Sequence, residues 1–135
     1  MPKISHMFFK SAVLFLILGV CMGIVMAMTG DHSPMGAHAH LNLLGWVSSA
    51  LFGGYYALNP VKAQRKLAVA HFYVFTLGVV VMIPALYFML MGNTALEPLV
   101  AAGSLIVLVG VLLFAAVMFT SEKPEAALPM GTVAR

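Results

Sequence analysis

Four long apolar stretches, each separated from the next by a short polar break, set the pattern of this chain. They fall at residues 7–28, 38–58, 67–91 and 98–120, and Thr29-Gly30-Asp31, Asn59-Pro60 and Gly92-Asn93 supply turn-forming residues between them. Each is long enough to cross about 30 Å of hydrocarbon at about 1.5 Å per residue, so the pattern predicts four transmembrane helices. Short connections force neighbouring helices to run antiparallel. No soluble domain remains once the helices are removed, and residues 1–135 read as a single four-helix transmembrane domain. Pro84 is expected to kink the third helix by releasing a carbonyl one turn earlier. Gly19, Gly23, Gly53, Gly54, Gly103 and Gly110 suit close helix approach.

Composition supports an all-α membrane protein. Of 135 residues 62% are hydrophobic and 8% charged, and seven basic with four acidic side chains cannot solvate a soluble exterior. The lipid bilayer is therefore the solvent. Lys3, Lys10, Lys62, Arg65, Lys66, Lys123 and Arg135 all fall at the N-terminus, the second loop or the C-terminal tail, whereas the first and third loops carry Asp31 and Glu97. The positive-inside rule then makes both termini of this multi-pass protein cytoplasmic, with residues 38–40 near the opposite face. The net charge of +3 comes without a basic stripe, so no nucleic-acid partner is expected. Val25-Met26-Ala27 weakly resembles a signal cleavage site, but the first apolar run is long for a signal peptide and is read as a span. The single Cys21 rules out an intramolecular disulfide.

Within this apolar background, Gly36-Ala37-His38-Ala39-His40-Leu41-Asn42-Leu43-Leu44-Gly45-Trp46 carries the chemistry. An imidazole at membrane depth is costly unless paired, which makes it a functional candidate. A metal is the natural partner of a neutral imidazole here, and heme iron fits an apolar bundle. Two positions on a helix differ by about 200°, so His38 and His40 point to nearly opposite sides. Asn42, Gly45 and Ser49 share the His38 side; Leu44 and Val47 share the His40 side. Gly45 would let a flat macrocycle approach the backbone, and Trp46 would pack against its edge or anchor at the interface.

Topology sorts the remaining histidines. His32 lies toward the outer face with the pair, whereas His6 and His71 lie toward the inner face. His40 and His71 should stand about 20 Å apart along the bilayer normal. Axial ligands of one iron need to be only about 4 Å apart, twice a typical metal–nitrogen bond, so the two cannot share an iron within one chain. His32 or a neighbouring copy is then the source of a second ligand. A zinc or copper site from His32, His38 and His40 is a further alternative, although the opposed pair argues against one small ion. No carboxylate lies in the spans for a proton relay or a dimetal centre. There is also no nucleophile with an adjacent base, no phosphate loop and no CxxC motif.

His38-Ala39-His40 with Leu43-Leu44-Gly45-Trp46, Phe52-Gly53-Gly54-Tyr55-Tyr56 and Asn59-Pro60 resembles the tenth transmembrane helix of heme–copper oxidase catalytic subunits, especially the cbb3 type. The wider chain, with Asp31-His32, Ala70-His71-Phe72 and Leu96-Glu97-Pro98, is similar to small four-helix proteins described as oxidase subunit I-like. The resemblance implies one four-helix arc of the oxidase fold, heme b as cofactor, a high-spin-like role for His38 and a low-spin-like role for His40. It also implies a homo-oligomer, by analogy a trimer, with heme between protomers. The copper-site histidines and the acidic proton-channel residues of oxidases are missing, so the chain alone should not reduce oxygen. The expected function is a membrane b-type cytochrome for electron transfer or diatomic gas binding, its electron donor unidentified and any enzyme activity open. The alternatives are a structural or assembly protein without cofactor, or a copper- or zinc-handling membrane protein.

Overall fold

The computed structural model describes residues 1–120, which are helical apart from the turns between helices. Lys123 and Arg135, used in the topology argument, lie outside the described residues. The first helix, Lys3–Thr29, starts four residues earlier than the apolar run because its polar first turn still packs inward. Ile4 and Ser5 are buried there, and Ser5 Oγ donates to the Gly53 carbonyl at 2.7 Å. The helix stops at Gly30, whose φ of 68° closes it in the left-handed conformation with its N–H on the Met26 carbonyl.

The second helical stretch begins at Met35, three residues before the apolar run. Met35–His40 is α-helical, Leu41–Ser48 is π-helical and Ser49–Leu58 is α-helical, one following the next without a gap. The short Pro60–Ala63 turn leads into the third helix, Lys66–Leu90, and the 3-10 turn Thr94–Leu96 into the fourth, Glu97–Phe119. The segments Lys3–Thr29, Lys66–Leu90 and Thr94–Phe119 are each long and apolar enough to cross a membrane. The third helix runs on through Pro84, which sits on its exposed side.

Backbone proximity at glycine defines two antiparallel seams. Between the third and fourth helices, a Cβ on Gly78 would lie 2.6 Å from the Val107 backbone N, one on Gly103 2.7 Å from Met82 Cβ, and one on Gly110 2.7 Å from Phe75 Cα. Between the first and second, a Cβ on Gly19 would meet Asn42, on Gly23 His38, on Gly45 Phe15, and on Gly53 Phe8 and Phe9. Apolar helices in lipid gain little from burying oily surface against each other, so this close approach and the dispersion contacts it permits hold the seams. Gly54 takes no part, since nothing lies within 4 Å of its would-be Cβ.

The two ends of the bundle differ in charge. Lys62 Nζ donates to the Met118 carbonyl at 3.0 Å and to Tyr55 Oη at 3.2 Å, so a cation from the second loop caps the end of the fourth helix. Lys3, Arg65 and Lys66 sit at that same end, where the first and third helices begin. At the other end Gly36 packs on Leu90, and Asp31 and Glu97 occupy the turns or the first turn of a helix.

Candidate functional site

The His-x-His pair lies in the first turns of the second helical stretch, at the end opposite the cations. His40 is exposed, and its Nδ1 is 2.7 Å from the Gly36 carbonyl one turn earlier. A carbonyl only accepts, so Nδ1 carries the proton in that contact, and Nε2 is the nitrogen left for a ligand on this exposed side chain. This is the arrangement that orients a metal-ligating imidazole. His32 repeats it: exposed, with Nδ1 3.0 Å from the Gly30 carbonyl.

His38 faces the other way, as the helical spacing predicts. Its ring is partly buried against the first helix, where a methyl on Gly23 would lie 3.1 Å from Cε1. Asn42, one turn on, donates from Nδ2 to the His38 carbonyl at 2.9 Å and lies 3.4 Å from His38 Nδ1. Asn42 in turn fills the space over Gly19. His38 and Asn42 are thus wedged into the glycine notches of the first helix. With Gly23 so close, no macrocycle fits between His38 and that helix. A ligand role for His38 requires the ring to turn outward or the first helix to withdraw.

Gly45 was expected to admit a macrocycle, but its open side is filled by Phe15, 2.9 Å from a would-be Cβ. It serves helix packing. Trp46 is the twelfth of the 24 residues from Met35 to Leu58, so it sits midway along the stretch and not at an interface. Its indole is 37% exposed, with no hydrogen-bond partner among the described residues.

The π-helical segment accounts for a further difference. A π turn is wider than an α turn and rotates every later position relative to the α expectation. In this segment Leu43 and Trp46 are exposed, while Leu44 packs against the core. Ser48 Oγ donates to the Leu43 carbonyl five residues back, at 2.8 Å, satisfying a backbone acceptor in the widened turns. Such segments concentrate at functional sites. No pattern in the apolar run marks it.

His71 is fully buried at the cation-rich end. Tyr56 Oη lies 2.9 Å from its Nδ1, and Phe8, Phe52, Phe75 and Phe114 surround the ring with centroids 4.6–6.0 Å away. Its Nε2 has no hydrogen-bond partner among the described residues. Tyr56 follows His40 by 16 positions on the same helical stretch, which separates His71 from His40 by roughly 20–24 Å. The depth argument from topology and the geometry agree. The Tyr56–His71 pair itself was missed in the sequence. The signal was available, because residues 56 and 71 are symmetric about the turn at 63–64 and so meet across an antiparallel hairpin.

Among the described residues, no group of three or more His, Cys, Asp or Glu side chains comes together as a metal site. His32, His38 and His40 are therefore not assembled into a zinc or copper centre. Asp31, between the first two helices, has its carboxyl held below the usual carboxylate range by hydrogen bonds from Ser33, whose backbone N–H lies 2.9 Å from Oδ1. Comparison of the chain with models of known protein families, with curated proteins and with solved structures gives no match.

Proposed function

We propose that this is a four-crossing protein of a bacterial inner membrane, with cytoplasmic termini, that binds heme b through His40 at the periplasmic side. The observation that carries the reading is the exposed ring of His40, held through Nδ1 by the Gly36 carbonyl so that Nε2 is the nitrogen left for a ligand. The second helical stretch supplies the fourth crossing, and the complete separation of cations from Asp31 and Glu97 supports the orientation. The resemblance to oxidase catalytic subunits agrees with the choice of heme. Iron held there would supply one-electron transfer or diatomic gas binding.

The residues divide the work unequally. His40 donates the ligand nitrogen, and the Gly36 carbonyl fixes its tautomer. His38 and Asn42 position the second helix on the first. His71 is too far away to serve the same iron, so a second ligand would come from His32 or from His40 of another copy in a homo-oligomer, a trimer by analogy. The absorption spectrum of the purified protein tests this: Soret and alpha bands are expected, and His40→Ala should abolish the low-spin signal while His71→Ala retains it. Equal retention in both variants defeats the ligand assignment. A monomer in detergent that holds low-spin heme after His32→Ala defeats ligation between copies.

The observation that favours a second reading is that His38 and His71 both have packing partners inside the chain. A cofactor-free assembly protein would use both in this way. Absence of heme bands after expression with excess heme would select that reading.

A further inference from the structure

The cation-rich end holds a cleft of about 590 Å³ between the starts of the first and third helices. Its rim carries Lys3 and Gln64, and its deeper wall carries Ile4, Met7, Val69 and Tyr73. Lys3 and Gln64 are both exposed, and exposed Lys66 lies two residues beyond Gln64. Val69 is 43% and Tyr73 60% exposed, so the cleft opens sideways toward lipid. Both carboxylates among the described residues, Asp31 and Glu97, lie at the opposite end.

We propose that this cleft binds an anionic phospholipid of the leaflet on the cationic side. Three features choose the occupant. The polar atoms form a rim at headgroup level, while the apolar wall continues one to two helical turns deeper, which matches a headgroup joined to an acyl chain. The charge at the rim is positive, and among the described residues no carboxylate lies at this end. The rim's Lys3 ammonium and Gln64 amide N–H are both donors, as a phosphodiester requires. Juxtamembrane cations attract anionic lipid by an amount that corresponds to about fivefold in binding for each Lys or Arg near the surface. The proposal rests on the membrane-spanning reading and not on heme.

The test is native mass spectrometry of the delipidated full-length protein, titrated with phosphatidylglycerol or phosphatidylcholine of identical chains. Preferential retention of phosphatidylglycerol is expected. Lys3→Gln should weaken it about fivefold, and Val69→Trp should weaken it by filling the wall. Lys10→Gln, about two helical turns further along the first helix and lining a different cleft, should leave it unchanged. Equal retention of the two lipids, or equal losses for Lys3→Gln and Lys10→Gln, overturns the site. Far-UV circular dichroism establishes that each variant is folded. His40→Ala should bind phosphatidylglycerol like the parent, so loss of heme and loss of lipid are read separately. Purification of the parent without detergent would overturn the membrane reading itself.

Discussion

Tyr56→Phe isolates the buried hydrogen bond between the second and third helices. The variant removes one oxygen from a fully buried ring and leaves its stacking on Phe8 in place. His71 then has no partner on either nitrogen, because Nε2 already lacks one. Interhelical hydrogen bonds in membrane proteins average about 0.6 kcal/mol and reach about 1.7, since the separated helices find other partners. An orphaned buried polar group costs about 1–3 kcal/mol. His71 is enclosed by phenyl rings that offer no alternative acceptor or donor, so the upper part of the first range applies, about 1.5 kcal/mol.

Adding His71→Leu supplies the decisive comparison. Leucine is close to histidine in volume and removes both stranded nitrogens at once. Replacing both members of a buried polar pair by apolar groups is close to neutral. The double variant should therefore recover most of the stability lost in Tyr56→Phe, less about 0.5–1 kcal/mol for the lost ring contacts. Unfolding in mixed micelles by titration with sodium dodecyl sulfate, followed by circular dichroism, measures the parent and both variants. A double variant less stable than Tyr56→Phe alone would show that the hydroxyl and the imidazole are not coupled, and the reasoning would fail.

Other expected outcomes concern the seams and the outer loop. Gly103→Leu forces a side chain into the Met82 backbone and should separate the third and fourth helices, a loss of more than about 3 kcal/mol in the same titration, whereas Gly54→Leu should stay within about 0.5 kcal/mol. Gly19→Ala places a methyl 2.6 Å from Asn42 Oδ1 and should destabilise more than Gly23→Ala, whose nearest neighbour is at 3.1 Å. Because the Asp31 pKa is depressed in the folded state, its contribution is present above the ordinary carboxylate pKa and is lost as pH falls through the folded value. The stability difference between the parent and Asp31→Asn should therefore shrink on acidification below about pH 4, and a difference that grows there would contradict the Ser33 hydrogen bonds.

Hydropathy and turn residues were enough to locate three long apolar helices, Lys3–Thr29, Lys66–Leu90 and Thr94–Phe119, because a helix that can cross a membrane demands length and apolar character over every face. Their ends were less legible. Lys3–His6 is polar in sequence but helical, since Ser5 finds the Gly53 carbonyl in another helix, and a local pattern contains no such information. The opposed directions of His38 and His40 follow from α-helical geometry alone and survive because the π turns begin only at Leu41. Beyond that residue the same geometry misplaces Leu44, set on the exposed His40 side but packed against the core. The glycines illustrate a different gap. Gly19, Gly23 and Gly45 are recognisable as places for close approach, but the sequence cannot say whether a helix or a ligand approaches. At all three the answer here is a helix or its side chain.

That answer narrows what the His-x-His motif can do in this chain. A ligand needs a lone pair with access to open space, and the first helix occupies the space in front of His38. Turning His38 outward would vacate the Gly23 notch and break the contact with Asn42, which itself rests over Gly19. Occupation of a heme site at His38 is therefore coupled to loosening of the seam between the first two helices. His40 carries no such penalty, because its ring is already held by Gly36 and already exposed. The order of ligand competence, His40 before His38, follows from packing and is independent of the oxidase resemblance. It has a spectroscopic consequence: if His38 carries an open iron site, carbon monoxide should shift the reduced spectrum more in Gly19→Ala than in the parent. An unchanged response in a variant whose seam has loosened would separate His38 from heme altogether.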